Sequence, residues 1–210
     1  ILLVICGGIA SYKSLELIRL LKKKGSLIKT ILTKNAKKFV TPLSVASLSQ
    51  EKVYSDLFDH NNEAEMDHIS LSRWADLILV APATANTLAK MASGICDHFM
   101  LGVYLSAKCP VVIAPAMDRD MYKHPATISN INTLMSFKDH HIIDAEEGEL
   151  ASGLYGEGRM AEPINIINYL IFFFAQNKNR QLALKGKKAL TTAGPTYEAI
   201  DPVRYIGNHS

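Results

Sequence analysis

The stretch Leu77-Ile78-Leu79-Val80-Ala81-Pro82-Ala83-Thr84-Ala85-Asn86-Thr87 decides how this chain folds. Its apolar half has the length of a strand buried on both faces, the signature of a parallel sheet. Pro82 is expected to close that strand, and Leu88-Ala89-Lys90-Met91-Ala92 favours helix. Thr84, Asn86 and Thr87 therefore fall where a strand turns into a helix, with free backbone N–H groups and a positive dipole end. In an open parallel sheet, ligands sit at that edge. One such turn is more often only a capped helix start. The ligand reading gains weight because other strands end in equally polar or Gly-rich turns.

The first of these is at the N-terminus. Ile1 to Cys6 reads as a strand, followed by Gly7-Gly8-Ile9-Ala10-Ser11-Tyr12-Lys13 and a helix ending near Gly25. Glycines let backbone amides approach an anion at a helix N-terminus, and Ser11 adds a hydroxyl. The third glycine of the dinucleotide fingerprint G-x-G-x-x-G is missing, which favours a mononucleotide phosphate. A tight turn that needs Gly only for its backbone angles explains the segment equally well. Leu27 to Leu32 is the next strand, ending in Thr33-Lys34-Asn35. Pro110 to Ala114 is another, ending in Pro115-Ala116-Met117-Asp118, where Asp118 is a natural N-cap. His141 to Asp144 reads as a short last strand.

Three further segments stand out. A polar stretch from Gln50 to Glu65 reads as a surface loop and precedes His68, the side-chain type best matched to proton transfer near neutral pH. Glu146 to Met160 carries four glycines and reads as a mobile flap, with Arg159 an anion-pairing candidate. Ile164 to Phe174 reads as a helix, and Ala175 to Lys185 as a linker. A new strand at Lys188 to Thr192, followed by Ala193-Gly194-Pro195-Thr196, suggests a second α/β domain that the chain only begins. The absence of an initial Met and the abrupt end at Ser210 read as a piece of a longer protein.

The composition, 210 residues with 48% hydrophobic and 20% charged, suits one α/β domain with some chain left over. A net charge of +3 with scattered lysines argues against nucleic acid. No apolar run reaches membrane-spanning length, and no secretory signal precedes the first strand. Cys6, Cys96 and Cys109 lie far apart with no metal-ligand spacing. They read as reduced core cysteines of a cytoplasmic protein that binds no metal through them.

Together these segments resemble one family. The Gly7–Lys13 turn, the His68 segment, Pro82–Thr87, Pro115-Ala116-Met117 and Gly156–Met160 are similar, in the same order, to the motifs of the homo-oligomeric flavin-containing cysteine decarboxylases. The tail, with Thr192–Thr196, Asp201–Arg204 and Asn208-His209-Ser210, resembles the start of a phosphopantothenate–cysteine ligase domain. The resemblance implies a flavodoxin-like three-layer α/β/α sandwich, with an FMN-binding domain over 1–177, a linker over 178–187 and a truncated ligase opening over 188–210. It implies FMN-dependent oxidative decarboxylation of 4′-phosphopantothenoylcysteine to 4′-phosphopantetheine in coenzyme A biosynthesis. A ligase domain would use CTP and Mg²⁺. Members assemble as trimers or dodecamers of trimers, with the flavin at a subunit boundary.

The same resemblance assigns His68 and Ser152 to catalysis. It assigns Gly8, Ile9, Ala10, Ser11, Thr33, Thr84, Ala85, Asn86 and Thr87 to the flavin, and Met117, Asp118, Arg159 and Met160 to the substrate. Two positions depart from the usual pattern: Asp118 stands where Asn is common, and Ser152 where the flap carries Cys. An ionised Asp repels a substrate carboxylate that an Asn amide would bind, and a serine hydroxyl is a far weaker acid than a thiol. Loss of the flap Cys keeps a non-catalytic flavin-binding regulatory subunit in play. A flavin prenyltransferase of related fold is a third reading, which the ligase-like tail disfavours.

Overall fold

The computed structural model describes residues 1–55, 68–182, 197–199 and 205–207, with side chains as far as residue 176. The chain divides into two compact units, Ile1–Leu170 and Ile171–Ser210.

The first unit is built on a six-stranded sheet. Its elements are β1 (Leu2–Ile5), α1 (Lys13–Lys23), β2 (Lys29–Leu32), α2 (Pro42–Ser49), β3 (Val53–Tyr54), α3 (His68–Trp74), β4 (Ile78–Ala83), α4 (Ala85–Ala92), α5 (Phe99–Leu105), β5 (Val111–Pro115), α6 (Arg119–Lys123), α7 (Pro125–Ser136) and β6 (His140–Ile142). Strand order is β3-β2-β1-β4-β5-β6, and every pairing in it is parallel. This is a doubly wound sheet whose order reverses between β1 and β4, the place where such folds bind ligands. Helix α1 packs on α2, α3 on α5, and α4 on α7. Right-handed crossovers put the first pair on one face and the others on the opposite face. The flavodoxin-like three-layer sandwich is therefore the fold.

The central strands are buried on both faces, with Leu2, Leu3, Ile5, Ile78, Leu79, Val80, Val112 and Ile113 almost fully shielded from solvent. Continuous apolar runs form such strands because neither face can be polar. Pro82 does not close β4. The strand continues through it to Ala83, with a register shift against β5 between Val80 and Ala83 that accommodates a residue lacking an N–H. The Ala81–Pro82 peptide bond is cis.

The expected flap is ordered β structure. It forms an antiparallel hairpin of β7 (Glu146–Glu149) and β8 (Tyr155–Arg159), with Gly148 opposite Gly156. The helix-to-linker boundary also moves, because α8 (Pro163–Leu182) runs through the first part of the segment read as a linker. Gln, Lys and Arg are good helix formers, so polarity alone did not mark a break. In the second unit, β9 (Tyr197–Ala199) and β10 (Tyr205–Gly207) form an antiparallel pair. The strand expected at 188–192 lies outside the described residues. Among the described residues, no helix is long and apolar enough to cross a membrane.

The cysteines do not share one environment. Cys6 is buried, Cys109 half-buried, and Cys96 exposed, so only Cys6 is a core residue in full. Cys96 sits between α4 and α5 just after Gly94, whose φ of +65° marks the end of a helix rather than a core strand.

Candidate functional site

The ends of β1, β2, β4 and β5 and the β7–β8 hairpin surround one cavity of about 1120 Å³. Small-molecule sites commonly reach ~1,000 Å³, so this space is large enough for a ligand of cofactor size.

The β1 end is set by close approach. A Cβ on Gly7 would stand 2.4 Å from Asn35 Cβ and 2.6 Å from the Asn35 carbonyl carbon. Only glycine lets this turn lie against the one that follows β2. Gly8 has extended backbone and open space where a side chain would begin, so its face is turned to the cavity. Ser11 Oγ lies 2.8 Å from the Cys6 carbonyl oxygen and 2.6 Å from that of Gly8, and its single proton is donated to one of them. Ser11 is fully buried and holds the turn from inside, so it does not line the cavity. Gly8, Ile9, Ala10 and Thr33 do.

At the β4 end, Thr84 caps α4, its Oγ1 accepting from the Thr87 amide at 3.3 Å. Thr87 Oγ1 donates to Cys6 Sγ at 3.4 Å, and Ser14 Oγ donates to the Ala81 carbonyl oxygen at 2.8 Å. These bonds join the β1 and β4 turns. Burial pushes the Cys6 thiol up to about 11, so it accepts as a neutral group. Thr84, Ala85, Asn86 and Thr87 all face the cavity, as expected of the organising stretch.

At the β5 end, the Ala116 amide donates to the Ala83 carbonyl (2.9 Å) and the Met117 amide to the Gly158 carbonyl (2.9 Å). Gly158 has a φ of +140°, and a Cβ there would stand 2.4 Å from the Met117 carbonyl oxygen. The hairpin therefore docks on the β5 turn through backbone that tolerates no side chain. Asp118 caps α6, accepting from the Asp120 amide at 3.1 Å, and it also accepts from Ser152 Oγ at 2.7 Å. These bonds, the Ser152 hydroxyl first, hold the Asp118 carboxyl below its usual range, so it is ionised at neutral pH. The negative residue is held here by hydrogen bonds rather than by protonation.

Charges sit at two sides of the cavity. Lys13 Nζ is buried and donates to the Met160 carbonyl at 2.9 Å and to Glu162 Oε1 at 3.0 Å. Arg159 meets the same carboxylate oxygen at 2.5 Å. Across the cavity, Lys90 pairs with Asp97, and His98 Nε2 lies 3.8 Å from Asp97 Oδ1. Burial lowers the His98 pKa, against an opposing pull from Asp97.

Lys13, Lys90 and His98 line the cavity and were missed as site residues. Lys90 follows Thr87 by one helical turn and so shares its face, a signal present in the sequence. Nothing local marked His98. His68 behaves the other way. It starts α3, its ring lies beside Gly102 of α5, and it is not among the residues that line the cavity.

The Flavoprotein family model matches residues 1–174, and the C-terminal domain model of the DNA/pantothenate metabolism flavoproteins matches residues 184–210. The chain belongs to the flavoprotein family. A flavin is thus its cofactor class. The chain is 52% identical over 171 residues to a cysteine/cysteine sulfinic acid decarboxylase from an unknown prokaryotic organism, covering 81% of this chain and 47% of that one. It is 45% identical over 211 residues to the coenzyme A biosynthesis bifunctional protein CoaBC of Bacillus subtilis (strain 168), covering 100% of this chain and 51% of the relative. The chain spans about half the length of these curated relatives. Among solved structures, a PPC decarboxylase cysteine-to-serine mutant complexed with pantothenoylaminoethenethiol is similar at 30% identity and a TM-score of 0.73, covering 83% of this chain and 97% of that one.

Proposed function

We propose that this protein is an FMN-dependent decarboxylase that converts 4′-phosphopantothenoylcysteine to 4′-phosphopantetheine in coenzyme A biosynthesis. The observation that carries the reading is the convergence of the β1, β2, β4 and β5 turns and the hairpin on one cavity, in a chain similar along its whole length to a bifunctional coenzyme A protein. Residues 188–210 would open the ligase domain, which would require CTP and Mg²⁺. A homotrimer, or a dodecamer of trimers, in the cytoplasm completes the proposal.

The residues present fit the cofactor. Gly8 leaves backbone exposed at a helix start, where a phosphate is favoured. Thr33, Thr84, Asn86 and Thr87 supply polar side chains to the remainder. FMN, when bound, supplies the acceptance and return of two electrons. The protein's part is placement. Arg159, whose guanidinium carries more donors than Glu162 uses, receives the substrate carboxylate. The hairpin covers the substrate and excludes water. His68, which does not line the cavity of its own chain, would serve the site of a neighbouring copy across the subunit boundary.

Ser152 cannot be a simple proton donor to product, since its hydroxyl proton is directed at Asp118. This favours, as a second reading, a flavin-binding regulatory subunit without turnover. Supplying 4′-phosphopantothenoylcysteine to the FMN-loaded protein separates the two. The proposal expects CO₂ and 4′-phosphopantetheine; bound flavin with neither product would refute it in favour of the regulatory reading.

A further inference from the structure

Asp118 and Ser152 lie in different loops and meet at 2.7 Å. Both line the cavity. A serine hydroxyl has one proton and two lone pairs, and an ionised carboxylate only accepts. With the Ser152 proton directed at Asp118 Oδ2 and the Asp120 amide on Oδ1, the pair offers only acceptors.

Two neighbouring backbone donors are engaged elsewhere. The Met117 amide is on the Gly158 carbonyl, and the Gly153 amide is on the Leu150 carbonyl within the hairpin tip. Arg119, whose Nε is on Asp120 Oδ1 at 3.0 Å, does not line the cavity. A ligand carboxylate brought to this corner meets negative charge and lone pairs. A ligand N–H or S–H meets acceptors.

We infer that Asp118 and Ser152 act as one specificity-determining pair that receives a hydrogen-bond donor of the substrate, an amide N–H or a thiol, and steers its carboxylate away toward Arg159. The inference rests on the proposed function and deepens it, because it fixes which end of the substrate faces the hairpin tip. Asp118 is here both a direct contact and the residue that orients Ser152: removing its charge frees the serine proton and converts an acceptor corner into a mixed one.

Two ligands that differ only in the carboxylate test this: 4′-phosphopantothenoylserine and 4′-phosphopantothenoylethanolamine. Neither has a thiol to oxidise, so binding to the FMN-loaded protein is read by calorimetry without turnover. Asp118→Asn keeps the cap on α6 and is expected to shift the affinity ratio of the two ligands toward the carboxylate by about fivefold or more, the scale of one charge-assisted contact. Ser152→Ala is expected to weaken the ethanolamine ligand by about threefold with no gain for the serine ligand. An unchanged ratio in Asp118→Asn, or unchanged binding of both ligands in Ser152→Ala, overturns the pair. Should Asp118→Asn fail to fold, the Ser152→Ala result decides alone. A parent protein that takes up FMN but binds neither ligand would instead bring down the proposed substrate, and this inference with it.

Discussion

Replacing Gly7 and Gly8 one at a time by alanine separates what the Gly-rich turn does for the fold from what it does for a ligand. At Gly7 the added methyl would meet Asn35 Cβ at 2.4 Å, the Asn35 carbonyl carbon at 2.6 Å and the Ala36 nitrogen at 2.9 Å. Carbon atoms rest at ~3.5–4.0 Å, so relief requires the two turns to part by about 1 Å. Two of these obstacles are backbone, which cannot swing aside as a side chain can. The turn after β2 is also tied down, by the Thr33 amide on the Ile5 carbonyl (3.1 Å) and the Ala36 amide on the Thr33 carbonyl (2.9 Å). Overpacking of this kind costs about 1–3 kcal/mol. For a domain of this size ~1 kcal/mol moves Tm by about 2–4 °C, so Gly7→Ala is expected to lower Tm by ~2–12 °C. At Gly8 the methyl meets nothing within 4 Å and the backbone is extended, so Gly8→Ala leaves the flavin-free Tm within about 1 °C. The same methyl projects where a phosphate would approach the turn, so FMN affinity falls by about tenfold or more. Differential scanning fluorimetry with and without FMN reads both effects. A Gly8→Ala protein that binds FMN as well as the parent, or a Gly7→Ala protein of unchanged Tm, refutes this account of the turn.

Thr30 Oγ1 is the buried side-chain polar atom that finds no partner among the described residues, so Thr30→Val is expected to stabilise by about 1 kcal/mol in urea denaturation. Glu162→Gln removes the charge facing both Lys13 and Arg159 and leaves Lys13 buried beside a weaker acceptor. It should destabilise by about 1–3 kcal/mol in the same assay, and unchanged stability would show the triad to be slack. Iodoacetamide at pH 8 should modify Cys96 readily in the folded protein and spare Cys6, which is buried with its pKa pushed up to about 11. Mass spectrometry of the alkylated peptides reads this directly. His98 has a lowered pKa in the folded state, so the unfolded chain binds the proton more readily; its contribution is intact above pH ~6.5 and lost as pH falls below it. Tm measured from pH 8 to pH 5 should therefore fall less steeply in His98→Gln than in the parent.

The sheet was legible because its central strands are shielded on both faces. Leu77–Val80 and Val111–Ala114 are continuous apolar runs with no competing helical period. The turns were legible because Gly, Thr and Asn at strand ends have few other uses. β3 was not, since its two residues lie in a polar segment and pair with β2 only once the fold is in place. The hairpin was hidden for a related reason. Its inward positions are Gly148, Gly156 and Gly158, which pack through backbone and so leave no apolar alternation to read. Contacts across the site were beyond any local signal: Ser152 reaches Asp118 across 34 residues, and Lys13 reaches Glu162 across 149. His68 was picked out as a residue type and by likeness, and neither carries information about which cavity a side chain faces.

The central claim is that the strand-end turns and the hairpin hold a flavin mononucleotide. Titrating the flavin-free protein into FMN and following flavin fluorescence tests it most directly. Saturable binding of one FMN per chain, with riboflavin bound about tenfold more weakly for want of the phosphate, is the predicted result. No saturable change, or riboflavin bound as tightly as FMN, would contradict it.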